Sequence, residues 1–434
     1  MKINKFTSAL VALGVVSLAG VAQANTTVYL TGSTAARQFV FNALTTSGAV
    51  FTGAGAVVSA APNNVGSANL FVVEGNIAGV GTVDINCSFT GSEAGIASVA
   101  QAPLVQSLAQ NPAVPGLPAG THNYALPGVP PSFLVGPGYT ATAPVSNPDL
   151  SMADTSQAVS QTPQALYHLT DYGIVGVVPF TSMKGYEATP DQSWSDLNNV
   201  TTAQLAINSS GAVTANYYTG NAADADAVVI VGRNLGSGTK ANFALNGCNF
   251  ATVNSPVDQF AYDCTYTAAG VLTKGSNYGA GLPIQEVFND GFDSGSGVQK
   301  VMNVDGTGSG VVAIGYMGIS DAKNAATAPA AAGHAATYLK YNGVYESDAA
   351  VENGNYTWWG SEHLLGAVGQ VPGSGAAGIT GNAIVHGIGV ALVSQGNATG
   401  DVSTNPAQSP IIPTSLMAVT RASNDSGYPT QGSF

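Results

Sequence analysis

Charge is scarce in this sequence. Only 8% of its 434 residues are charged, and 24 acidic against 11 basic side chains leave a formal net charge of −13. That excludes a broad cationic surface, the kind that releases counterions from nucleic acid or settles on an anionic membrane. An anion bound by such a chain must be held locally, by amide N–H groups, hydroxyls and a well-placed arginine. The 54 glycines suit that task, because a residue without Cβ lets backbone amides come close to a ligand.

Cysteine is nearly absent. Cys87, Cys248 and Cys264 include no pair at metal-ligand spacing. In an oxidising compartment the short loop between Cys248 and Cys264 favours a bridge there, with Cys87 left as a small buried apolar residue. Long hydrophobic runs are missing too. The longest beyond the N-terminus, around Ala383 to Val393, is interrupted by His386 and two glycines, and falls short of the roughly 18 residues that span a bilayer.

Catalytic signatures are likewise lacking. No serine sits in G-x-S-x-G, and the five histidines (His122, His168, His334, His363, His386) lie at least 23 residues apart. The acidic run "FNDGFDSGSG" lacks the glutamate that a calcium loop requires. The expectation is therefore a binding protein with no catalytic residue, metal or cofactor.

What is present begins with an export signal. Lys2 and Lys5 precede an apolar stretch from Phe6 to Gly20, and Ala22-Gln23-Ala24 gives the small-x-small cleavage pattern, so a mature chain is expected from Asn25. Val21 follows Leu18-Ala19-Gly20 where a lipoprotein would need cysteine. The expected location is periplasmic or secreted, without a lipid anchor. Loss of the two lysines takes the net charge to −15.

The mature chain alternates strand and helix patterns. "TVYLTG" reads as a strand and "STAARQFVFNAL" as a helix burying Ala36, Phe39, Val40, Ala43 and Leu44. "DAVVIVGRNLGSGTKANFAL" (226–245) repeats that plan, "YGIVGVVPF" (172–180) and "VVAIGYMGI" (311–319) read as buried strands, and "LNNVTTAQLAINSSG" (197–211) as a polar helix. The fold class is α/β. Residues 101–150 hold ten of the 22 prolines and read as an inserted surface excursion, while the tail after Gly396 reads as surface loop.

Three Gly- and hydroxyl-rich turns stand at apparent helix starts: "TGSTAAR" (31–37), "FTGSEAGIASVA" (89–100) and "RNLGSGTKANF" (233–243). Each has a plain reading as an N-cap. Each could equally direct amides and hydroxyls at an anion, with Arg233 as a planar charged fork in the third. "LSMADTSQ" (150–157) adds one carboxylate, Asp154, which helps an anion site only if the ligand still carries a proton. "NYTWWGSEH" (355–363) reads as a packed segment or as a sugar platform.

In order, "LTGSTA", "GSEAGI", "MADTSQ", "GRNLGSGT", "SGVQKV", "VVAIGYMGI" and "VENGNYTWWG" resemble the periplasmic phosphate-binding proteins of ABC importers, in the type II periplasmic-binding superfamily. The resemblance implies two α/β lobes about a central cleft with two crossing hinge strands: residues 25–170 with 318–434, and residues 171–317. It implies inorganic phosphate held by Thr34, the Ala35 amide and Ser92 on one side, by Arg233, Ser237, Gly238 and Thr239 on the other, and by Asp154 as acceptor of the ligand's proton. An importer permease is the implied partner of a monomeric protein. Two departures stand out: Arg-Asn-Leu replaces the family's common Arg-Ser-Asp, and Ala35 follows the first-turn threonine where a large residue is common. A secreted surface or matrix protein on the same fold and a phosphate-ester hydrolase stay open as alternatives; the second needs a metal or nucleophile that no motif here supplies.

Overall fold

The structure is a computed structural model that describes residues 25–61, 68–101, 134–135, 140–141, 148–162, 166–188, 192–253, 264–266, 272–274, 292, 294–304, 306, 308–327, 334–367, 379–400, 408–421 and 428–432. The expected leader and most of the Pro-rich excursion lie outside the described residues.

Eleven strands make one large sheet: β1 (Thr26–Gly32), β2 (Ala56–Ala61), β3 (Leu70–Ile77), β4 (Gly81–Ser88), β5 (Leu150–Ala153), β6 (Leu169–Lys184), β7 (Val213–Thr214), β8 (Ala227–Val231), β9 (Val311–Gly318), β10 (Thr337–Tyr338) and β11 (Trp359–Ala367). Their order is β7-β8-β9-β6-β11-β5-β1-β4-β3-β2, with β10 also on β6. β1 runs parallel to β4 and β5, and β8 parallel to β9, whereas β6 and β11 are antiparallel to their neighbours.

The long strand β6 divides this sheet into two wings. Its residues 169–179 pair with β11 in the first wing, and its residues 180–184 with β9 in the second. A single strand built from "GIVGVVPFTSM" can serve both because it is buried over its whole second half. Two wings of mixed α/β structure sharing a strand realise the two-lobed α/β organisation that the motif order implies. The chain returns from β9 through β10, which pairs with Met183 and Lys184, before entering β11.

Helices alternate with the strands. Following β1, the helix α1 (Arg37–Thr45) buries Phe39, Val40, Ala43 and Leu44. α2 (Ser92–Ala100) follows β4. α3 (Thr202–Ser209) opens on a capping box between Thr201 and Gln204, and buries Leu205. α4 (Gly238–Asn242) follows β8 and continues as one turn of π-helix over Phe243–Gly247. α5 (Gly295–Met302) and α6 (Ile319–Ala326) flank β9, and α7 (Ile379–Thr399) covers β6. Among the described residues, no helix is long and apolar enough to cross a membrane.

Two expectations change. The tail is more than surface loop: Ile411 and Ile412 are buried, and Ile412 bridges Val177 of β6 through paired backbone hydrogen bonds of 2.8 Å. Two adjacent branched apolar residues after a proline-bearing stretch gain more from docking than from exposure. The bridge from Cys248 to Cys264 is not made: Cys248 is a free thiol, buried 3.5 Å from Ser209 Oγ, with burial pushing its pKa up to about 12. The side chain of Cys264 lies outside the described residues. The packed reading of "NYTWWGSEH" holds. Trp358 and Trp359 are wholly buried, Trp358 against Phe243 and Tyr341 and Trp359 under the Arg421 guanidinium, which leaves no exposed sugar platform.

Candidate functional site

The candidate residues gather at carboxyl ends of strands. Thr34 and Ala35 follow β1, Ser92 follows β4, Asp154 follows β5, and Arg233, Ser237, Gly238 and Thr239 follow β8. Because β1, β4 and β5 are parallel, their ends lie side by side, and the helix starts after β1 and β4 direct their first N–H groups to that end of the sheet.

Local chemistry fixes the first turn. Gly32 has φ +114°, and a Cβ on it would lie 1.9 Å from the Met152 carbonyl, so the chain can pass β5 only with glycine there. Ser33 N–H donates to that carbonyl at 2.8 Å, and Ser33 Oγ caps the following 3-10 turn by accepting from Ala35 N–H at 3.2 Å. Thr34 and Ala35 then stand half-buried on the turn.

The second and third turns meet directly. Ser92 Oγ donates to Asp154 Oδ1 at 2.5 Å and accepts from Asp154 N–H at 3.2 Å. Gly238, from the other wing, lies so close that a Cβ on it would fall 1.4 Å from Asp154 Oδ1 and 2.6 Å from Ser92 Oγ. Around this junction Ala94 N–H donates to Gly236 O at 3.2 Å, Gln161 Nε2 to Leu235 O at 2.7 Å and Asn242 Nδ2 to Asp154 O at 2.7 Å. The wings are thus closed on one another at Ser92, Asp154 and Gly238. Ser92, Asp154, Arg233, Ser237 and Thr239 are all buried there.

Arg233 is held through both its backbone and its side chain. Its N–H donates to Tyr316 Oη at 3.1 Å and its Nε to Phe292 O at 3.2 Å, while Tyr316 stacks on Phe243 at 3.9 Å. Asn234 Oδ1 accepts from Gly236 N–H at 3.1 Å and shapes the turn that leads into α4. Ser237 makes no side-chain cap on its own helix, so its hydroxyl and the first amides of α4 are not consumed by capping.

Sequence reasoning missed four ionisable groups at this place. Arg37, at the end of "TGSTAAR", donates from Nε to Thr34 O at 2.8 Å. Burial lowers its pKa, with the charge of Asp321 opposing and that of Arg233 adding to the shift. Asp321, on α6, is pushed up by burial, against the pull of Arg233 and Arg37. It brings a carboxyl near Arg233 and Arg37 that only the packing of α6 reveals. Glu93 follows Ser92 and is fully buried; Thr155 Oγ1 donates to it at 2.8 Å and Gln161 N–H at 2.7 Å, yet burial raises its pKa to about 7. Glu362, hidden in the aromatic segment, is the fourth. Among the described residues no cluster of His, Cys, Asp and Glu is arranged to hold a metal ion.

No protein-family model matches the chain, and no curated protein does. Among solved structures the chain is similar to a protein assigned as a phosphate ABC transporter substrate-binding protein, with bound phosphate, from Clostridium perfringens, at 15% identity and TM-score 0.41 over 88% of this chain and 99% of that one. It is similar to an ABC-type phosphate transport receptor from Vibrio cholerae, at 14% identity and TM-score 0.31 over 55% of this chain and 73% of that one. It is also similar to PstS from Borrelia burgdorferi, at 12% identity and TM-score 0.33 over 79% of this chain and 87% of that one.

Proposed function

We propose that this chain is an exported solute-binding protein that captures inorganic phosphate between its two wings, for ABC-type uptake. The observation that carries the reading is the junction itself: a buried carboxylate, Asp154, held by Ser92 Oγ at 2.5 Å and pressed against Gly238 of the opposite wing. Amides, hydroxyls and the Arg233 guanidinium suit a tetrahedral oxyanion. A carboxylate among them suits only an oxyanion that still carries a proton. Phosphate does so near neutral pH; sulfate, fully ionised, meets Asp154 with repulsion and no donor. In this reading Thr34, the Ala35 amide and Ser92 hold the ligand from the first wing, and Arg233, Ser237, Gly238 and Thr239 from the second. The lobes of this reading, residues 25–170 with 318–434 and residues 171–317, share β6, whose residues 171–179 pair in the first wing.

Calorimetric titration tests it, on protein unfolded and refolded to strip carried-over ligand. Wild-type protein is expected to bind phosphate saturably and sulfate at least about 100-fold more weakly, the scale set by leaving a buried charge unpaired. Asp154→Asn is expected to narrow that gap, because an amide can donate to sulfate. Equal affinity for both anions in the wild type, or none for phosphate, would sink the proposal.

A further inference from the structure

Glu362 is a wholly buried carboxyl, and neither of its oxygens has a hydrogen-bond partner. The two acids nearest it are supported, Asp154 by Ser92, and Glu93 by Thr155 and Gln161. A polar group this deep is costly unless something in its final state donates to it or accepts from it.

Its direction follows from strand register. His363 of β11 pairs with Ala153 of β5, and Leu364 with Met152, in an antiparallel ladder. One step further puts Glu362 opposite Asp154, and opposed residues of a ladder project to the same face. That face is the one on which Asp154 meets Ser92 and Gly238. The register of β11 against β6 shifts between Glu362 and His363, with Val175 of β6 as the extra residue, so the bulge lies on β6 and β11 itself runs on regularly.

The surroundings decide its protonation. Burial first, then the charge of Asp154, push the Glu362 carboxyl well above the ordinary carboxylate range; the neighbouring Ser33 hydroxyl and the charge of His363 offset this in part. Glu93 is the other acid facing Asp154, and it too is held up by burial. His363 is tied on its far side to Asp171 at 2.9 Å.

Resting on the phosphate reading above, we propose that Glu362 is a ligand-binding residue of this cleft: as a neutral acid it donates its O–H to one oxygen of the bound oxyanion, while Asp154 accepts the anion's own proton. Two carboxyls in different protonation states thus read the two kinds of oxygen on a protonated tetrahedral anion. A donor without charge suits a site whose partner acid is already negative, since a second carboxylate there would repel both Asp154 and the ligand.

Infrared difference spectroscopy of the full chain, with and without inorganic phosphate, reads this directly. Wild-type protein is expected to show the carbonyl stretch of a protonated carboxylic acid that shifts when phosphate is added, and Glu362→Gln to lack that band. By calorimetry Glu362→Gln, whose amide still donates, is expected to lose only about 3- to 10-fold in phosphate affinity, and Glu362→Leu about 10- to 100-fold, the range for a hydrogen bond to a charged group. A Glu362 band that stays put on phosphate addition, together with unchanged affinity in folded Glu362→Leu, would overturn the proposal and leave phosphate binding intact. A wild type that binds no phosphate would overturn the parent reading instead, and this one with it.

Discussion

Gly238 has no room for a methyl group. Its backbone φ is ordinary, so the constraint is space alone: a Cβ would sit 1.4 Å from Asp154 Oδ1 and 2.6 Å from Ser92 Oγ. Gly211, at the end of α3, has nothing within 4 Å of the same position. Gly238→Ala must push Asp154 aside or hold the wings apart, and overpacking of this kind costs about 1–3 kcal/mol. Phosphate affinity measured by titration is therefore expected to fall about 10- to 100-fold in Gly238→Ala. Gly211→Ala is the control, with stability within about 0.5 kcal/mol of wild type and affinity unmoved. Equal phosphate affinity in the two variants would contradict the placement of Gly238 at the binding junction.

At the scale of elements, α2 carries its own pH dependence. Glu93 sits in the first turn, where the helix dipole favours a negative charge, but full burial outweighs that and raises its pKa from 4.5 to about 7. A group whose folded pKa lies above its unfolded value binds its proton more tightly in the native state. Its contribution to stability is thus fully present below about pH 4.5, declines as pH rises to about 7, and is lost above that, by about 3 kcal/mol in all. Asp171 works the other way: burial opposes its charge, but the hydrogen bond and charge of His363 together hold its carboxyl below the usual range, so its contribution is lost only in stronger acid. In urea unfolding, the stability gap between wild type and Glu93→Gln is expected to shrink by up to about 3 kcal/mol between pH 4.5 and 7. A gap that stays level across that window would mean that Glu93 titrates normally.

The same scale explains what could be foreseen. β1 with α1, and β8 with α4, were legible because an apolar run, a Gly- and hydroxyl-rich turn and a 3.6-residue apolar spacing occur within twenty residues of each other. Ser92 and Gly238 stood out because such turns mark helix starts at strand ends, Asp154 as the single carboxylate of "LSMADTSQ", and the resemblance supplied their expected roles. Glu362 and Asp321 did not stand out, since each owes its place to pairing between segments far apart in the chain. Glu362 faces Asp154 only through the β5–β11 register, and in the sequence it stands beside two tryptophans that draw the eye to packing. The expectation of a Cys248–Cys264 bridge failed for the same reason. Loop length argued for closure, whereas the fold gives Cys248 a buried place beside Ser209.

For the whole molecule, the question is what closes the wings when so few charges are available. Beside the charge attraction of Arg37 for Asp321, the junction is crossed by neutral hydrogen bonds, from Ala94 N–H to Gly236 O, Gln161 Nε2 to Leu235 O and Asn242 Nδ2 to Asp154 O. Each is worth about 0.5–1.5 kcal/mol net, which is enough to bias a hinge and too little to lock it. A ligand that touches both wings then supplies the rest, and closure becomes a population shift driven by differential affinity. Gln161→Ala removes one such bond without touching the candidate ligand residues. Phosphate affinity is expected to fall about 3- to 10-fold, matching one neutral hydrogen bond, while the melting temperature of ligand-free protein barely moves. With phosphate at about 100 times its dissociation constant, wild-type protein is expected to gain about 2.7 kcal/mol, and Gln161→Ala at that same concentration less, by the affinity it has lost. If Gln161→Ala instead lowers stability equally with and without phosphate, the bond belongs to the core of a permanently closed molecule and the wings do not open to exchange ligand.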